Sequence, residues 1–416
     1  VSEKKRLFLV VSIVVITLNL RAPISSVGSL ITMIQADYGL SSALCGMLTT
    51  LPVVAFSVCS PLVTLLNGKI GTELTMLLGF LLTFAGVLVG SLLGVFGLFL
   101  GTAMVGMGIS CANVLMPGII KSKFSDCAGL IVGIYCAVMY VSSGIGAGIS
   151  VPLAVKTGLG WKGSLASWSL LSVLAVLFWV PQLKGHLARL KKRNGAKTSP
   201  TRFGPLLKSP LAWAVTGYSG LQSLIFFCAS AWLPAIFQSY RLSAETAGYL
   251  VLYLQLVCIL GSCIVPISVD RTKDQRIISA AVSLSYFLGS AGLLFFPQSL
   301  FAVFVSLSLF GIGMGGCFSF MLIILGKRTK SASDTARLSG MAQSLGYLFA
   351  SAGPWLFGAM FDLTGSWTVP LSVFALSALM LFMLSFYLGR DIYLFEEKVG
   401  AAPAERQKEI PYVDCE

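Results

Sequence analysis

The sequence predicts an all-α polytopic membrane protein whose twelve transmembrane helices form two pseudosymmetric six-helix bundles, with N- and C-termini cytoplasmic. Three observations lead there. Of the 416 residues 56% are hydrophobic and only 11% charged, with a mean hydropathy of +0.88, more apolar side chain than one water-soluble core buries. Segments close to the roughly 20 apolar residues needed to cross a hydrocarbon layer of about 30 Å recur along the whole chain. The second half also repeats the first at a nearly constant offset.

The first span, 7–34, follows the charged start VSEKKR. No small-residue cleavage site comes after it and apolar character resumes beyond Pro23, so it reads as a retained helix rather than a signal peptide. Spans 43–66, 73–94, 96–120, 128–154 and 162–182 complete the first bundle, and 209–237, 244–268, 275–296, 298–325, 337–361 and 367–389 form the second. The expected organisation is a cytoplasmic N-terminus (1–6), a bundle (7–182), a basic cytoplasmic linker (183–208), a second bundle (209–389) and a cytoplasmic tail (390–416).

Basic residues set the orientation, because Lys and Arg resist translocation. Of the 29, 25 fall in the N-terminus, the even-to-odd loops and the C-terminus; Lys156, Lys162 and Arg241 lie on the other side, and Arg21 on neither. The net charge of +13 therefore describes a membrane face, and no nucleic-acid partner is expected. The run HLARLKKRNGAKTSPTR, from His186 to Arg202, reads as a linker that also suits anionic lipid head groups. The ten cysteines show no repeated pair spacing and no nearby His, so neither a disulfide framework nor a metal site is indicated, and no cofactor is expected.

The repeat runs at offsets of 202 to 207: LSSALCGML from Leu40 resembles LSAETAGYL from Leu242, and Pro61, Gly106, Gly108, Gly133, Tyr140, Gly146 and Trp161 match Pro266, Gly311, Gly313, Gly340, Tyr347, Gly353 and Trp367. Parallel six-helix repeats suit a transporter whose halves rock about a midplane site. Ser41 and Ser243 read as paired helix caps, and the glycines as points of close packing in lipid. GIGMGG (Gly311 to Gly316) fits a dinucleotide-binding spacing but lies inside an apolar run with no strand before it.

Arg21 breaks the repeat, since nothing charged lies between Ser223 and Phe226, where its twin would be. It sits roughly 21 Å into the first span, where an arginine costs about 2.5 to 3.5 kcal/mol and should face a wet cavity. All 16 Asp and Glu residues fall in loops, tails or helix ends. A permanent cation with a planar fork of donors and no counterion suits a small anion, or a nitro or carboxylate group. The alternative is an arginine bonded to backbone carbonyls and Asn or Tyr side chains. Pro23 removes a backbone N–H, which frees the Asn19 carbonyl and bends the helix. Asn19, Ser25, Asn113, Tyr140, Gln222, Phe226, Tyr253, Gln343 and Tyr347 are the mid-depth candidates to complete a substrate pocket. Gln222/Phe226 and Gln343/Tyr347, four apart, share helix faces. The competing readings are helix-to-helix hydrogen bonding for Asn113 and the glutamines, core packing for the aromatics, and belt anchoring for Trp232.

With these residues in view, the chain resembles the major facilitator superfamily and, within it, the cyanate/2-nitroimidazole transporter family (CynX/NimT). The likeness spans residues 7–389 and rests on NLRAPISSVG, GISCANVLMPGIIK, SVPLA with GWKGSLASW, LQSLIFF with WLP, and LSGMAQSLGYLFASAGP with DLTGSW. The superfamily signature between helices 2 and 3 is reduced to NGKIGTE, in which Lys69 and Gly71 keep the basic and glycine positions and Gly68 replaces the acid; PISVDRTKDQR retains Asp270 and Arg271. Pro23, Lys69, Gly71, Asp270 and Arg271 are thus expected to serve gating and structure. The resemblance implies a multi-pass bacterial inner-membrane carrier, functional as a monomer, that moves cyanate-like anions, nitroimidazoles, small carboxylates or related compounds by alternating access. Arg21 occupies the arginine of the family's first-helix motif.

No Asp, Glu or His lies at mid-depth, and arginine keeps its proton, so the membrane core offers no obvious proton carrier. The same inventory argues against an enzyme, which needs a base, nucleophile or metal cluster at depth. The expected function is a secondary transporter of a small anion or polar azole with Arg21 as central recognition group. A multidrug or toxic-compound efflux carrier of the same fold, or a non-transporting membrane sensor, are the alternatives.

Overall fold

The computed structural model describes residues 3–124, 128–183, 206–269, 274–296, 299–329 and 332–394. Among them every regular element is helical. The first half contains α1 (Glu3–Tyr38), α2 (Ser42–Ile70), α3 (Thr72–Leu92), α4 (Gly94–Lys123) and α5 (Ala128–Lys156), then α6 (Gly160–Ser167) and α7 (Ser169–Trp179), which run on as one span across Trp168. The second contains α8 (Pro210–Ser239), α9 (Ala244–Val269), α10 (Arg276–Phe295), α11 (Leu300–Lys327), α12 (Ala332–Thr364) and α13 (Thr368–Leu388). Every expected span has its helix, with ends displaced by five residues at most. Among the described residues eleven spans are long and apolar enough to cross a bilayer. The remaining one, α12, has the length but carries Ser339, Gln343, Ser344 and Ser351 in its middle.

Helix ends follow local chemistry. Ser41 accepts from the Leu44 N–H and Ser243 from the Thr246 N–H, so the repeat reproduces the same side-chain cap in both halves. Gly71 ends α2 and precedes α3 with φ of 81°, a conformation open to glycine, while Lys69 beside it is exposed. Asp270 and Arg271, like the linker residues 184–205 with His186, lie outside the described residues.

Both chain ends approach one face of the bundle, here the terminal face; the α1–α2, α5–α6 and α8–α9 connections mark the distal face. The halves meet along α2 with α12, α5 with α9 and α1 with α8. These contacts are close because a side chain is missing at the right points: a Cβ at Gly28 would collide with the Ser230 carbonyl, one at Gly46 with Pro354, and one at Gly358 with Ser42. Polar groups fasten the same seams. Asp362 accepts from the Ser42 and Ala43 N–H groups at the start of α2 (3.0 and 2.8 Å), Thr50 donates to the Ser351 carbonyl (2.8 Å), and Lys156 pairs with Glu245 (2.6 Å). Among the described residues, the polar contacts between halves lie from mid-depth to the distal face. The molecule is closed distally.

Within the halves, GIGMGG is a packing surface, with Gly313 against Tyr286 and Gly315 against the Cys258 carbonyl. Trp232 corrects an expectation. Instead of anchoring at a membrane interface it is 1% exposed, donates to the Pro354 carbonyl (2.8 Å) and packs on Trp367, because α8 is buried along nearly its whole length as a central helix. At the terminal end of the second half, Arg328 is also 1% exposed. Its guanidinium donates to the Leu388 carbonyl, to Gln275 Oε1 (2.5 Å) and to Asp391 (3.3 Å), tying α11 to the end of α13 and the start of α10.

Candidate functional site

The site begins at Pro23, inside the otherwise continuous α1. Pro23 has no N–H to offer the Asn19 carbonyl, and one residue earlier the Ser142 hydroxyl of α5 accepts from the Ala22 N–H (3.0 Å) and donates to the Leu18 carbonyl. A hydroxyl thus bridges an amide and a carbonyl four residues apart, normal partners in a helix ladder, and the segment around Arg21 is held from outside. Gly146 lets α5 lie against the Ala22 backbone, Ser143 bonds Ser25 (2.6 Å), and Ser29 donates to the Ala147 carbonyl (2.8 Å).

Arg21 projects from this fixed stretch into a tight cavity between the halves, about 30 Å³ in volume, room for one or two waters in this closed form. Tyr140 and Cys136 from α5, Gln222 and Phe226 from α8, and Tyr347 from α12 share its lining. Among the described residues Arg21 makes no hydrogen bond and no ion pair. Its guanidinium carbon lies 5.0 Å from the Phe226 ring centre and 5.6 Å from that of Phe227, an attraction of about 0.5 to 2 kcal/mol that leaves the N–H fork unspent. Tyr140 stands edge-on to Phe226 and Phe318, and Tyr347 to Phe227. Gln222, only 2% exposed, sits one turn from Phe226 on the same face. The tyrosine hydroxyls at 140 and 347 find no partner among the described residues. The result is a cationic cavity with aromatic walls and several free polar tips.

Arg21, Tyr140, Gln222, Phe226 and Tyr347 therefore meet in one cavity, and the other candidates stand apart from it. Asn19, two residues from Arg21 and so about 200° around the helix, is fully buried and accepts from Ser172 of α7 (2.8 Å). Ser25 is on the Arg21 face but engaged with Ser143. Asn113 accepts from Tyr135 (3.4 Å), and Tyr253 bonds Ser308 (2.7 Å) with its ring against Phe304. Gln343 is exposed one turn from Tyr347 and donates to Ser339. The lining residues missed were Cys136, Met139, Ser223, Phe227 and Phe318. Four-residue spacing from Tyr140 pointed to Cys136; Phe318 gave no polar signal. A larger cavity, about 280 Å³, lies in the first half between Asn67, Glu73, Lys123 and Trp179, and none of the mid-depth candidates lines it.

Comparison with known proteins agrees with this architecture. Residues 8–354 match the family described as Major Facilitator Superfamily. The chain is 37% identical over 390 residues to the 2-nitroimidazole transporter of Escherichia coli, covering 94% of this chain and 97% of that protein. It is 26% identical over 365 residues to the cyanate transport protein CynX of Escherichia coli, covering 88% and 92%. The crystal structure of a D-xylose-proton symporter superposes with a TM-score of 0.73 at 14% identity, covering 95% and 99%, a likeness of fold alone. With transport rather than catalysis as the common function of its relatives, the chain belongs to the major facilitator superfamily, in its cyanate/2-nitroimidazole transporter branch, as a multi-pass protein of the bacterial inner membrane.

Proposed function

We propose that this transporter moves a small anion or polar azole by alternating access, with Arg21 as its central recognition group. The observation that carries the reading is the guanidinium in a mid-membrane cavity with no hydrogen bond or ion pair among the described residues. A partly buried cation that spends none of its N–H donors on a protein partner keeps them for a ligand, and a planar fork matches a carboxylate or nitro group, or one end of a linear anion. The rings of Tyr140, Phe226, Phe227 and Tyr347 suit a flat azole or small π-system, and the Gln222 amide and tyrosine hydroxyls suit its polar edge. The relatives named for cyanate and for 2-nitroimidazole support the class, since one is a small anion and the other a flat polar azole.

The excess of basic residues on the terminal face supports placing it in the cytoplasm. On that reading the distal-closed form loads from the cytoplasm, and rocking of the halves exposes the cavity outward. The protein works as a monomer, since all the residues of the Arg21 cavity come from one chain.

Purified protein should be stabilised by cyanate, small carboxylates or nitroazoles in a thermal-shift series. Arg21→Ala and Arg21→Lys should lose that stabilisation and lose flux in proteoliposomes while unfolding at an unchanged temperature. Wild-type flux in both variants would sink the assignment.

A further inference from the structure

One buried polar chain crosses between the halves a single turn from Arg21. The Gln255 amide of α9 donates from Nε2 to the Ser143 hydroxyl of α5 (3.0 Å), and Ser143 bonds Ser25 of α1 (2.6 Å). Gln255 is 1% exposed, and its Oε1 is buried with no partner. The approach is close: a Cβ at Gly144 would press on Leu252 and Gln255. Tyr253, about 200° away on the same helix, points instead to Ser308.

A polar bridge meant only to fasten the seam would be fully satisfied, as the Arg328 cluster is. This one leaves an amide oxygen desolvated without a donor, which sets the cost of burial against the single bond it makes. An apolar side chain of the same length would close the seam more firmly. When the halves part on the distal side, water or a ligand reaches both ends of the amide, and the deficit disappears.

We propose that Gln255 is a positioning residue for transport: its half-satisfied amide weakens the distal seam so that it opens, and then places a polar group on the distal wall of the Arg21 cavity. The inference rests on the alternating-access reading above. Its test reads the seam without substrate, so its failure is separable from that of the Arg21 assignment.

Hydrogen–deuterium exchange of the full-length protein in nanodiscs gives the test, followed on peptides around Asp37, Lys156, Gln238, Glu245 and Asp362 at the distal ends of the helices. Gln255→Met keeps the length and removes the orphaned oxygen. It should slow distal exchange about fivefold and raise the melting temperature. Ser143→Ala strips the amide of its one bond and should speed distal exchange by about the same factor. Opposite signs, spread over all five peptides, support the proposal. Faster exchange in both variants, or a change confined to residues touching Gln255, identifies a plain structural strut and overturns it. If Gln255→Met does not fold, the same conclusion follows, because the amide is then required for the closed form.

Discussion

Arg328 and Arg21 lie in different halves of the molecule and meet opposite surroundings. Around Arg328 the fold supplies a backbone carbonyl, the Gln275 amide oxygen and the Asp391 carboxylate, so each edge of the guanidinium has a protein partner. Burial pulls its pKa below the usual arginine value and Asp391 opposes the shift. Around Arg21 the fold supplies two ring faces and a cavity. The first guanidinium is fully engaged by the protein, and the second, only partly buried, keeps its donors unspent among the described residues. Unspent bonding capacity, rather than depth in the fold, is what separates the two.

The largest effect that would sharpen this contrast is on stability. Arg328→Leu removes the guanidinium that bonds Gln275 Oε1, the Leu388 carbonyl and Asp391 and should cost about 3 kcal/mol, read as a lower melting temperature in detergent. Arg21→Ala should reverse the pattern: melting unchanged, but affinity for the best small anion or nitroazole reduced by roughly 2 kcal/mol, a fall of about thirtyfold by calorimetry. Equal loss of stability in both variants would break the comparison. Phe226→Leu removes one ring from beside Arg21 and should shift ligand affinity by about 0.5 to 1 kcal/mol, with little change in melting. The smallest effect belongs to Lys156→Ala at the distal seam. That pair is exposed, 63% and 34% at its two side chains, and its loss should change stability by less than about 0.5 kcal/mol.

The spans were legible because a bilayer demands long apolar runs, and the helix caps because Ser41 and Ser243 recur at the repeat offset. Arg21 was legible as a lone mid-depth charge. The aromatic walls were harder to read: Phe226 was reached only through its spacing from Gln222, while Phe227 and Phe318 look the same in sequence whether they face lipid, core or cavity. On α9 the aromatic ring drew attention to Tyr253, whereas the bridging residue is Gln255, two positions away and on another face. Arg328 was hidden by its company. It lies at a helix end among basic residues whose charge already had an explanation in topology, and only tertiary contacts separate it from them.

The incomplete shell of Arg21 also has an electrical meaning. On the proposed reading, a guanidinium site carries one positive charge when empty and none when a monovalent anion occupies it. Membrane voltage then acts on the reorientation of the empty carrier and not on that of the loaded one. Exchange of one such anion for another is electrically silent, net flux carries charge, and a neutral azole leaves the positive charge in place on both legs of the cycle. Current recordings on supported membranes would separate the two substrate classes by that signature.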